Sequence, residues 1–180
     1  MIVTISGGIM RKIVLTGLCG FVFSVSMMFT HASPSHAEEE LVSYQAMNLE
    51  LALKAAQATM QACRDEGFQV SVAVVDRSGV IQVIIRDQLA GIFSPDIAIR
   101  KARTALNFHT DTVNLSEPTS SGPESGIRNV PGALMVAGGV RVDAAGSIVG
   151  SIGVSGAPGP QSDDACARKG IESISNILNF

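Results

Sequence analysis

The chain has 180 residues, 46% of them hydrophobic and 16% charged, which is enough for one domain with its own core and excludes disorder as a description of the whole. A formal net charge of −3, no Trp and a single Tyr remove both the basic field and the stacking platform that a nucleic-acid binder uses.

The chain opens with a leader-like pattern. Arg11 and Lys12 precede an uncharged run from Ile13 to Phe29, and Ser35-His36-Ala37 places small residues where a leader peptidase cuts. Thr16, Ser24 and Ser26 dilute the run, which falls short of the ~20 apolar residues of a membrane span. Residues 1–37 therefore read as a signal peptide and 38–180 as a single domain, periplasmic or secreted, with no membrane attachment once cleaved. Cleavage leaves 143 residues with 11 basic and 16 acidic side chains, and His109 as the only histidine. A multi-histidine metal site cannot be built in one such subunit. Cys63 and Cys166 both fall in expected helices among alanines, where a small buried thiol is the usual occupant; pairing is the alternative in an exported protein.

The first expected helix is capped by Asn48 and closed by Gly67, with Leu49, Leu53, Ala56, Met60 and Cys63 as its apolar stripe. Two strands, Gln69–Val75 and Val80–Arg86, flank the turn Asp76-Arg77-Ser78-Gly79. Val70, Val72 and Val74 take one face, Ser71, Ala73 and Val75 the other, so both faces are covered. Ser94-Pro95-Asp96 starts a second helix, capped by Ser94, that runs to about His109; its Ala98, Ala102 and Ala105 permit close packing. Asp111–Pro131 is a long polar loop with one helical turn at its start, a length that in a small domain often carries function. Ala133–Ala137, Val140–Val142 and Ser147–Val154 follow as three strands, the last two joined by Asp143-Ala144-Ala145-Gly146. Gln161–Leu178 is a closing helix capped by Ser162 or Asp163. The order α-β-β-α-loop-β-β-β-α predicts an α+β fold, a mainly antiparallel sheet of about five strands flanked by helices.

Hydrolase and nucleotide motifs are missing. Gly153-Val154-Ser155-Gly156 has the wrong spacing for a nucleophile elbow, and no His-Glu-x-x-His or Cys-x-x-Cys occurs. Gly150, Gly153, Gly156 and Gly159 lack the Lys-Ser/Thr of a phosphate cradle, and Asp163-Asp164 would repel an anion, so tight backbone packing is the better reading. The acid pairs Asp65-Glu66 and Asp163-Asp164 fall at helix ends, as solvated or capping groups.

Five segments in register carry a resemblance: Gln69–Gly79, Lys101–Ala105, Gly138-Gly139, Gly150–Pro158 and Asp163–Ala167. Together they resemble the GlcG/HbpS family, over essentially Leu49–Ile174. That resemblance implies an antiparallel sheet with flanking helices, a homo-oligomer and, in several members, haem binding; a related domain closes the PduO cobalamin adenosyltransferases. The expectation is an exported haem-binding protein that senses, stores or buffers haem, with at most slow oxidative haem degradation. The alternative is a binding module for a small organic acid or a corrinoid, and a third possibility is an enzyme whose site forms between subunits.

His109 is the candidate iron ligand by chemistry, since imidazole is a common haem ligand and this one alone remains. An exposed histidine favoured by the helix dipole is the other reading. Arg100, Lys101, Arg103 and Arg128 are candidates for ligand carboxylates such as haem propionates, or else a solvated face. Thr104, one turn from Lys101, is placed in the same pocket. His109 beside Arg100, Lys101 and Arg103 would set iron and propionates on one contiguous surface.

Overall fold

Alternating side chains along Ser71–Asp76 set the architecture, because successive residues of a strand face opposite ways and here neither face meets water. The computed structural model describes residues 41–179, and the expected leader, residues 1–37, lies outside them. One compact unit spans Ser43–Phe180.

Strand β1 (Ser71–Asp76) pairs antiparallel with both β2 (Ile81–Arg86) and β4 (Ser147–Ser155), and β3 (Gly139–Ala144) closes the sheet in the order β2-β1-β4-β3. Val72, Val74, Ile152, Val154, Val140 and Val142 fill the core on one face, beneath α1 (Leu49–Asp65) and α4 (Pro160–Glu172), with Leu178 of the short α5 (Ser175–Leu178) at its margin.

Helix α2 (Ser94–Asn107) covers the other face. Its buried Ala98, Ala102 and Ala105 meet a strand surface thinned to match. A Cβ at Gly153 would overlap the Ala98 carbonyl, so that glycine sets how near helix and sheet can lie. The Ser151 hydroxyl donates to the Ala102 carbonyl at 2.7 Å, and Ser71 and Ser94 share a hydrogen bond at 2.8 Å. The loop after α2 holds a single-turn α3 (Val113–Ser116) and a 3-10 turn, Pro123–Asn129.

The α+β class and antiparallel sheet match the expectation, with four strands in place of about five. Ala133–Ala137, expected as a strand, is irregular: Leu134 N–H donates to the Thr104 hydroxyl rather than to a neighbouring strand. The helix expected over Gln161–Leu178 begins earlier, with Gly159 as its cap, and breaks into α4 and α5. Ser94 is the first helical residue of α2, not its cap.

Helix α1 is capped by Asn48, whose Oδ1 accepts from Leu51 N–H at 2.9 Å, and closed by Gly67 at φ +81°. Its inward stripe differs from the expected one, because Leu49 and Leu53 face outward while Ala52, Ala55, Ala56 and Thr59 face in. Where α1 meets α4, a Cβ at Gly170 would overlap the Thr59 side chain, so the two helices lie close there.

Where α1 and α4 meet, Cys63 and Cys166 are joined in a disulfide with Cα atoms 5.3 Å apart. This corrects the free-thiol expectation. Each cysteine does lie among small buried residues, but the close helix crossing brings the two within bonding reach. The bond closes a loop of 103 residues, a constraint that removes much freedom from the unfolded chain. The Cys63→Ala/Cys166→Ala variant should lose about 2–5 kcal/mol of unfolding free energy in urea, with reducing agent reproducing the loss in the parent; a loss below about 0.5 kcal/mol would contradict this role.

Candidate functional site

The two tight turns of the sheet lie at one end, and α2 ends between them. Asp76 organises the first: its Oδ1 accepts from Ser78 N–H at 2.8 Å and from Val80 N–H at 3.0 Å, while Gly79 takes φ +78°. The second turns on Ala145 and Gly146, both at positive φ. A cleft of about 690 Å³ opens between these turns and the end of α2, lined by Arg77, Gly79, Arg103, Asn107, His109 and Ser147 among others.

His109 stands at this cleft through an uncommon backbone. Helix α2 closes in a Schellman arrangement, with Thr110 N–H donating to the Ala105 carbonyl and His109 N–H to the Leu106 carbonyl. His109 therefore sits where glycine is usual, at φ +50°. Its carbonyl accepts from Arg141 of β3 at 2.9 Å. Arg141 N–H in turn donates to Asp111, so the helix end is tied to the sheet on both sides of the imidazole.

Arg103 lines the same cleft, its Nε donating to the Gly79 carbonyl at 2.9 Å. Arg77, in sequence an ordinary turn residue between Asp76 and Gly79, lines it too. Arg77 donates to the Ile148 carbonyl at 3.0 Å and stacks over the Tyr44 ring at 5.3 Å from its centre. Among the described residues no Asp or Glu lines the cleft.

The remaining candidates lie elsewhere. Thr104 is buried; its hydroxyl donates to the Arg100 carbonyl at 2.7 Å and accepts from Leu134 N–H at 2.8 Å, which ties the irregular 133–137 segment to the helix. A groove of about 240 Å³ lined by Thr104, Phe108 and Val130–Ala133 adjoins the cleft, since Arg103 lines both. Arg100 donates to the Gly132 and Ala133 carbonyls and faces a different cleft, of about 490 Å³. Arg128 donates to the Ser116 and Thr119 carbonyls and braces its own loop.

Lys101 departs most from the contiguous cationic surface that the sequence suggested. It is 2% exposed, on the inward side of α2, where Nζ donates to Asp163 Oδ2 at 2.7 Å and to the Val154 carbonyl at 3.0 Å. Asp163, expected as a capping or solvated group, is also buried and accepts from Ala157 N–H. The backbone makes room for the pair, because at Gly138 (φ +112°) a Cβ would strike both side chains. Burial pushes the Asp163 carboxyl above the usual carboxylate range, with the Lys101 charge and hydrogen bond opposing that shift. The folded protein thus holds this proton more tightly than the unfolded chain, so this group's stabilising contribution is fully present below its ordinary value and is lost as pH rises through the folded value.

Two charges buried together are hard to separate. Asp163→Asn should cost about 3–5 kcal/mol in denaturant unfolding at neutral pH by leaving the ammonium unpaired. The double variant Lys101→Met/Asp163→Leu should recover most of that loss; a double variant no more stable than Asp163→Asn would refute the pairing energetics.

Among the described residues, no group of three or more His, Cys, Asp or Glu side chains stands close enough to hold a metal ion. A lone imidazole cannot retain a free metal, but it fits one whose other ligands come from a macrocycle, as in haem. Two guanidiniums beside it suit carboxylates.

Residues 47–172 match the family described as "Haem degrading protein HbpS-like". The chain is 40% identical to a double mutant of Streptomyces reticuli HbpS, covering 79% of this chain and 97% of that one, with a TM-score of 0.72. It is 25% identical to Klebsiella pneumoniae ORFY, covering 76% and 95%, with a TM-score of 0.68. PduOC, solved as a haem complex, shares the fold at 24% identity and a TM-score of 0.65, covering 72% and 95%. No curated protein matches the chain.

Proposed function

The chain belongs to the HbpS-like family of haem-degrading proteins, and from that premise we propose that it is an exported haem-binding protein that stores or buffers haem in the cleft at the end of α2. The observation that carries this reading is His109, the only imidazole in residues 38–180, beside Arg77 and Arg103 in a cleft that no carboxylate lines among the described residues. His109 would hold the iron and the arginines the propionates. When bound, haem supplies redox-active iron. The chain's own residues would bind and orient it.

Export is supported by the buried disulfide, since such bonds persist in oxidising compartments. Among the described residues no helix is long and apolar enough to cross a membrane. A homo-oligomer is part of the same reading. Leu89, Ile92 and Phe93 between β2 and α2 are 81%, 79% and 69% exposed, an apolar cluster that association would cover.

Haem titration tests the proposal. The parent protein should develop a Soret band with saturable binding, and His109→Ala should abolish or strongly shift it while far-UV circular dichroism stays the same. An unchanged band in His109→Ala would remove the ligand assignment.

A further inference from the structure

Charge is distributed unevenly over the arginines. Among the described residues Arg64 pairs with Asp87, Arg141 with Asp111 and Asp143, and Arg168 with Asp164 and Asp111, whereas Arg77, Arg86, Arg100, Arg103 and Arg128 have no carboxylate partner; of these five, Arg77 and Arg103 line the cleft at the end of α2. Residues 38–180 carry 16 acidic side chains against 11 basic ones, so a cleft lined, among the described residues, by two guanidiniums and no acid runs against the composition.

Backbone carbonyls hold these two side chains instead. Arg77 spends one Nη on Ile148 and Arg103 its Nε on Gly79, while the other guanidinium N–H groups have no partner among the described residues. Carbonyl anchoring fixes the guanidiniums without neutralising them. Their charges stay available to an incoming anion, and little side-chain freedom remains to be lost on binding. The cleft is also long enough in chemistry for a two-ended ligand, because Arg103 joins it to the groove where Phe108, Val130 and Pro131 offer apolar surface.

We propose that Arg77 and Arg103 make this cleft a reader of the carboxylate edge of tetrapyrroles, so that it takes metal-free porphyrin dicarboxylates as well as haem. The choice of tetrapyrrole rests on the haem reading above; the role of the arginines does not depend on iron or on His109. Arg77 is then a specificity-determining residue that rewards two negative charges, and the porphyrin's apolar edge lies toward Phe108 and Val130.

Fluorescence titration with protoporphyrin IX, and with its uncharged dimethyl ester, separates the two ideas. The parent should bind the diacid at least tenfold more tightly than the ester. Arg77→Gln/Arg103→Gln should erase that preference by weakening diacid binding at least tenfold, while the distant control Lys54→Gln binds the diacid as the parent does. Equal affinity for diacid and ester, an unaffected double arginine variant, or a protein that binds haem but not protoporphyrin IX would overturn the proposal. If the arginines govern diacid binding while the haem spectrum of His109→Ala is unchanged, iron ligation by His109 falls and the carboxylate reader stands. If neither haem nor protoporphyrin IX binds, both fall.

Discussion

Helix α2 lies against β4 at a separation that only a glycine at the contact point permits. Gly153 is the point of closest approach, and the alanines at 98, 102 and 105 are the helix's half of the same fit. Dispersion at such an interface is strong because no void is left, but tight packing alone does not fix register along the strand. The Lys101–Asp163 pair supplies that second constraint, joining α2 to the start of α4 over the end of β4. Once α2 is seated and pinned, its last turn must emerge between the two hairpin turns. The cleft and the placement of His109 follow from that.

Most of this arrangement is legible in the sequence. The two-faced pattern of Val70–Val75 gives a strand buried on both sides, and the Ala98/Ala102/Ala105 row gives a helix that packs closely. Asn48 and Gly67 mark the ends of α1 as expected. What local pattern cannot show is which partner a side chain finds across the chain. Lys101 looks like part of a basic stripe with Arg100 and Arg103, since these residues are neighbours in sequence. A rotation of about 100° per residue sends it to the opposite side, and its counter-charge lies 62 positions away. The disulfide hides for the same reason, because two small residues on alanine-rich helices look alike whether or not they meet. Leu49 and Leu53 mislead in the other direction: hydrophobicity suggests the core, but both lie on the outer side of α1.

The candidate site shows the same division. His109 stands out by scarcity, and Arg103 by its place on α2. Arg77 does not stand out, because in sequence it occupies an ordinary turn between Asp76 and Gly79. Only the fold shows that this turn, the Ala145-Gly146 turn and the end of α2 converge. Arg141 holds the carbonyl of His109 and Asp111 holds the Arg141 backbone, so a residue in a left-handed conformation, uncommon outside glycine, is kept there by the surrounding fold. A strained, exposed histidine braced from two sides is better understood as a placed group than as a helix end.

The central claim is that haem iron sits at this helix end. Anomalous diffraction at the iron edge from crystals of the haem-loaded protein measures it directly. The account predicts one iron peak within coordination distance of a His109 ring nitrogen, in the cleft between Gly79 and Ser147. An iron peak in the cleft floored by Lys101 and Asp163, or anywhere out of reach of His109, would contradict it.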